Sequence, residues 1–80
     1  MHPADDILID AYGLEPPEPL ERVLQALPLL LPGQSIRLLL PREPFPLYPI
    51  LAARGYGHVT RMEAGGHYVI LIRQAGPLDL

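Results

Sequence analysis

The chain has 80 residues, enough for one small domain that buries only about 60–65% of the surface its unfolded form exposes. A hydrophobic content of 49% supports a core and excludes global disorder, while a net charge of −3 and a pI near 5.4 speak against nucleic-acid binding, which needs a basic stripe. No cysteine occurs, so disulfides, thiolate catalysis, cysteine-based zinc sites and persulfide chemistry are excluded.

Residues 1–6 are polar and read as a frayed N-terminus. The opening MHPADDILID has no basic stretch ahead of an apolar core, so no signal peptide is expected there. The run from Ile7 to Tyr12 predicts a first strand ending at Gly13, and its apolar character predicts a place near the middle of a sheet. A first helix follows. Leu20, Val23, Leu24, Leu27 and then Leu30 or Leu31 fall on one helical face, with Glu21, Arg22 and Gln25 on the other. Pro28 should stop that helix near Leu27, because it has no N–H to donate and its ring clashes with the preceding turn. Pro32-Gly33 makes a turn.

Ser35 to Leu40 reads as a second strand ended by Pro41. A second helix lies within Pro44 to Arg54. Pro49 shortens it or moves its start towards Leu47, and Gly55 sits where a left-handed C-terminal cap belongs. Tyr56 to Glu63 has strand character, with Tyr56, His58, Thr60 and Met62 on one side. Ala64-Gly65-Gly66 is a hairpin turn and His67 to Arg73 the strongest strand in the chain. Residues 74–80 read as a flexible tail, leaving residues 7–73 as a single domain. The apolar runs LPLLLP and IRLLLP are far shorter than the ~20 residues of a membrane helix, so a soluble, cytoplasmic protein is expected.

The order β-α-β-α-β-β predicts an α/β (α+β) two-layer sandwich: a small four-stranded mixed sheet with both helices on one face, as right-handed crossovers require. Within it Pro17-Glu18-Pro19-Leu20 and Pro44-Phe45-Pro46-Leu47 repeat a P-x-P-L motif, each after a strand. Ligands of α/β sheets tend to sit beyond the carboxyl ends of parallel strands. Asp10, Tyr12, Glu15, Pro16, Pro17, Glu18 and Pro19 lie near the end of the first strand. Arg42, Glu43, Pro44, Phe45, Pro46 and Tyr48 lie near the end of the second. If the two strands are parallel neighbours, these groups converge on one edge and form a binding site. No nucleophile and no phosphate-cradling glycine loop accompanies them, so neither an enzyme nor a cofactor site is expected. The first helix start is also a poor anion site. Its prolines remove three N–H donors, and Glu15, Glu18 and Glu21 already supply negative charge.

His58 and His67 fall out of register across the hairpin, too far apart to share an ion within one chain. His2, in the frayed start, is free to reach either of them, and a dimer would change their geometry. The tyrosines are expected to place apolar rings in the core with their hydroxyls at the rim, Tyr48 being the best surface anchor.

At DAYGLEPPEPLERVL the chain resembles the TusA/SirA-like sulfur carriers, which run a strand into a Gly-Leu-x-Cys-Pro-x-Pro helix start within a β-α-β-α-β-β fold. The sulfur-carrying cysteine of that family falls on Pro16, and its following prolines on Pro17 and Pro19. The resemblance implies the fold but not persulfide transfer. More closely, GLEPPEPLERVL and LPREPFPLYPILAARGY are similar to a cysteine-less branch of that superfamily, a domain of unknown function. Such domains stand alone or joined to hemerythrin-like domains, and near nitrogen-oxide respiration genes. The resemblance therefore implies a non-catalytic binding or adaptor module that docks to a redox or metal-handling protein, a hemerythrin-like one among the candidates. A small-ligand or metal carrier using the same edge is the alternative.

Overall fold

The computed structural model describes residues 6–75. Strand β1 is Ile7–Asp10, helix α1 Glu18–Ala26, β2 Ser35–Leu40, α2 Leu47–Ala53, β3 Tyr56–Glu63 and β4 His67–Gln74. The four strands form one mixed sheet in the order β1-β2-β4-β3. β1 runs parallel to β2, while β4 is antiparallel to both of its neighbours.

One face of the sheet is built by simple alternation. Ile36, Leu38 and Leu40 of β2 stand opposite Ile72, Ile70 and Tyr68 of β4. All but the half-buried Tyr68 are buried, and they share a core with Ile9 of β1, Val23 and Ala26 of α1, and Leu47 and Leu51 of α2. Both helices thus cover the same face, as two βα units of like hand require.

The expected breaks are where backbone chemistry places them. α1 ends at Ala26, and Leu27–Leu29 adds a single 3-10 turn around Pro28, whose missing N–H cannot continue the α-helical ladder. Leu30 is buried, whereas Leu31 is exposed, so the apolar stripe passes to Leu30. α2 begins at Leu47, leaving Pro49 within its first turn, where the absent donor is tolerated. Gly55 has φ +84° and its N–H bonds to the Ala52 carbonyl, closing the helix in the left-handed conformation that glycine adopts without strain.

Two expectations are corrected. β1 lies at an edge of the sheet, not near its middle, and is shorter than expected, ending at Asp10. Its apolar run has two separate causes: Ile7 and Ile9 face the core, while Leu8 points away and is 61% exposed. Gln74 belongs to β4, paired with Tyr56, so the last strand outlasts the expected domain end by one residue. The expected frayed N-terminus up to residue 5 and the tail from residue 76 lie outside the described residues. Among the described residues no helix is long and apolar enough to cross a membrane.

Ile70 is fully buried in the central strand β4, whereas Leu29 is 67% exposed. Ile70→Ala should therefore cost about 2–5 kcal/mol and Leu29→Ala no more than about 0.5 kcal/mol, read from urea denaturation midpoints.

Candidate functional site

Because β1 and β2 are parallel neighbours, both segments leave the sheet at the same edge. The Ala11 N–H still bonds to the Leu39 carbonyl, extending the pairing by one residue before the chain turns through Gly13, which has φ +81°. The Pro16–Pro17 bond is cis, and Pro17 stands at the N-cap of α1. No side chain caps that helix. Glu18 donates its N–H to the Glu15 carbonyl instead, and Glu18 and Glu21 supply the acidic charge of the first turn. The start of α2 is built alike, with Pro46 at the N-cap and the Leu47 N–H bonded to the Pro44 carbonyl.

Between these two starts lies a pocket of about 650 Å³. Its floor is Ala11, Leu38 and Leu40, from the ends of the two parallel strands. Its walls come from the repeated motif. Pro17, Pro19 and Leu20 line it from one copy and Pro44, Pro46 and Leu47 from the other, while the middle residues, Glu18 and Phe45, do not. Leu14, Pro16 and Pro41 complete the apolar surface. Glu15, Arg42 and Glu43 supply its charged groups. The pocket can therefore hold an apolar body by contact and address a polar end with either sign of charge. Its lining offers no hydroxyl, imidazole or amine to act as a nucleophile.

Of the residues expected at this edge, Glu15, Pro16, Pro17, Pro19, Arg42, Glu43, Pro44 and Pro46 come together around the pocket. Asp10 and Tyr12 do not. They alternate with Ile9 and Ala11, and so stand on the opposite face of the sheet, where the Asp10 carboxylate accepts the Tyr12 N–H and the Tyr12 hydroxyl bonds to His67 Nδ1. Local desolvation and, second, the Asp10 carboxylate raise the Tyr12 pKa. Glu18 turns outward to Arg22 at 3.2 Å. Phe45 is 66% exposed beside the pocket, its ring meeting Tyr48 edge-on.

Tyr48 is turned in rather than out, which corrects its expected role as a surface anchor. Its hydroxyl donates to Glu43 Oε2 at 2.9 Å and lies 2.6 Å from Thr60 Oγ1 on β3, and its ring stacks on His58 at 4.2 Å. It is a strut between the pocket rim and the far edge of the sheet. Tyr56 and Tyr68 also pack their rings on the core, and the Tyr56 hydroxyl donates to the Leu27 carbonyl, as expected for rim hydroxyls.

His58 pairs with Ile72 and His67 with Glu63, the out-of-register placement expected from the hairpin. Among the described residues no group of three or more metal-ligating side chains converges. His2 lies outside the described residues. The residues that sequence reasoning missed are the apolar ones: Ala11, Leu14, Leu20, Leu38, Leu40, Pro41 and Leu47. The leucine ending each P-x-P-L motif was the available signal.

Comparison with known proteins returns a family rather than an activity. Residues 8–74 match the family described as an uncharacterized conserved protein, DUF2249, and the chain belongs to it. No curated protein and no solved structure matches the chain.

Desolvation is the first cause that holds the Tyr48 pKa above its ordinary value. The folded state thus keeps the phenol proton more tightly than the unfolded state does. That contribution is present below about pH 10 and is lost as pH rises through the folded value. Tyr48→Phe should cost about 1–2 kcal/mol at pH 7, from two lost hydrogen bonds. It should also flatten the fall in stability above about pH 9.5, as urea midpoints across pH 7–10.5 would show.

Proposed function

We propose that this DUF2249 domain is a non-catalytic binding module whose working site is the apolar pocket between its two P-x-P-L helix starts. The observation that carries this reading is the duplicated lining. Two separate segments present the same Pro, Pro and Leu to one space and turn the intervening residue away. A structural device for starting helices needs no such convergence. Prolines and leucines hold an apolar surface rigidly, so little side-chain entropy is lost when an occupant settles.

The occupant in this reading is an apolar group presented by a partner protein, with Arg42, Glu15 and Glu43 reading the polar surroundings. The partner is a redox or metal-handling protein, the hemerythrin-like class first among them, and the setting is the cytoplasm. A kinship with the TusA/SirA-like sulfur carriers is part of the same proposal. It is supported by the β-α-β-α-β-β order and by Gly13-Leu14 running into Pro16-Pro17-Glu18-Pro19. With Pro16 where a cysteine would stand, the position keeps its place at the helix start and trades a thiol for apolar contact.

A second reading is a small-molecule carrier. The volume favours it, because about 650 Å³ lies within the ~300–1,000 Å³ of ordinary small-ligand sites.

The test is titration of isotope-labelled protein with a hemerythrin-like protein from the same source. Amide shifts should concentrate at residues 14–20 and 41–47. The double variant Glu15→Arg/Arg42→Glu should weaken binding about tenfold or more while its spectrum stays folded. Unchanged affinity in that variant would sink the adaptor reading. An apolar small molecule carried through native mass spectrometry, and lost in the same variant, would select the carrier reading instead.

A further inference from the structure

The sheet face away from the helices carries a second, independent pattern. Register places its residues in rows across the strands. Arg73 stands between Ser35 and Gly57 in the first row. Leu8, Arg37, Leu71 and Val59 form the second. Asp10, Leu39, Val69 and Arg61 form the third, and His67 and Glu63 the fourth. The middle of this face is apolar. Val69 is 8% exposed yet lies outside the core cluster, and Val59 is 53% exposed. Arg37 and Arg73 stand towards one end of the strands, and Asp10 and Glu63 towards the other, where Arg61 on the edge strand β3 shares the row of Asp10. The ion pair present among the described residues is Arg22–Glu18, on another surface.

We propose that this face packs against the same face of a second copy, about a two-fold axis that lies in the interface and runs across the strands. Such an axis reverses the order of the rows and keeps the order of the strands. Leu71 then lies over Val69 of the other copy, at an apolar centre. Arg37 comes beside the Asp10 of the second copy. Arg73 comes beside its Glu63, for which Gly57 leaves room, and Arg61, on the edge strand β3, lays its stem over Val59 of the second copy and turns its head to solvent. Each contact occurs twice, as an isologous interface demands. An axis along the strands would set Asp10 over the other copy's Arg61 but gather both copies' Arg37 and Arg73 at one end, where four cations repel. Sheets packed face to face keep their strands within about 30° and lie ~10 Å apart, a gap that these side chains span. Four strands make a face only ~20 Å wide, so the dimer is modest and belongs in the micromolar range. It leaves the pocket open, since the pocket lies on the helix side.

Sedimentation equilibrium on the full chain tests this from about 10 µM to 1 mM, with circular dichroism as the check on folding. The wild type should dimerise, and added salt should weaken the dimer. Leu8→Asp, at a position 61% exposed that lies over the Asp10 of the second copy, should leave a folded monomer. Arg73→Glu and Glu63→Arg should each weaken the dimer about tenfold, and the two together should restore it, the signature of a direct pair. A wild type that stays monomeric at about 1 mM would overturn the proposal. So would a dimer that survives Leu8→Asp, which would place the contact at the exposed β3 edge or elsewhere. So would a double charge swap no tighter than its single variants. Pocket binding is expected to persist in Leu8→Asp, which lies outside the pocket lining, so this interface and the binding site fail or stand separately.

Discussion

Four residues of β1 pair in parallel with β2, and both the helix packing and the pocket of this molecule depend on that pairing. A parallel pair needs a crossover, so α1 must lie against the sheet between the two strands. Burial of Ile9, Ile36, Leu38, Val23 and Ala26 in one cluster holds it there. The pairing also brings both strand ends to one edge. Each end is followed by prolines and a leucine, and neither segment alone makes a cavity. Together they enclose one.

Proline gives this edge its chemistry by subtraction. A helix start ordinarily aims free N–H groups at solvent and attracts anions. Here Pro17 and Pro46 hold the N-caps, Pro16, Pro19 and Pro44 flank them, and the exposed donors are few. What remains is a stiff apolar wall with an arginine and two glutamates among it. Such a surface offers shape and apolar area in place of the free N–H groups of an ordinary helix start. The Tyr48 strut adds a physical link from that wall to β3. Through Glu43 and Thr60 it couples the pocket rim to the far edge of the sheet, and through His58 it adds a stacked ring.

The two-residue period of a strand divides the molecule's surfaces. Ile9 and Ala11 point to the helix side, while Asp10 and Tyr12, one residue away in each case, point to the other. Nearness in sequence to the pocket is therefore no guide to belonging to it. The same alternation sets Arg37, Arg61 and Arg73 on the open face, away from the acidic helix starts. Both sides carry both signs: Asp10 and Glu63 share the open face with these arginines, and Arg42 lines the pocket with Glu15 and Glu43.

The element order, the stop at Pro28, the cap at Gly55 and the hairpin at residues 64–66 were legible in the sequence, because each rests on local backbone chemistry. So was the edge on which the two proline-rich starts meet, since a parallel βα repeat allows few other arrangements. Three features were not legible. β1 reads as a central strand, because an apolar run looks the same whether both faces are buried or one side chain is simply left exposed. Tyr48 reads as a surface anchor, because the partners that turn it inward, Thr60 and His58, lie on a strand packed beside it only in the folded chain. The pocket floor of Leu38 and Leu40 reads as ordinary core. By itself the sequence determined the local elements, the family and the absence of a thiol, since these depend on residue type and near neighbours. Only the tertiary structure decided which side chains share a space, because a sheet brings together residues far apart in the chain and separates those next to each other.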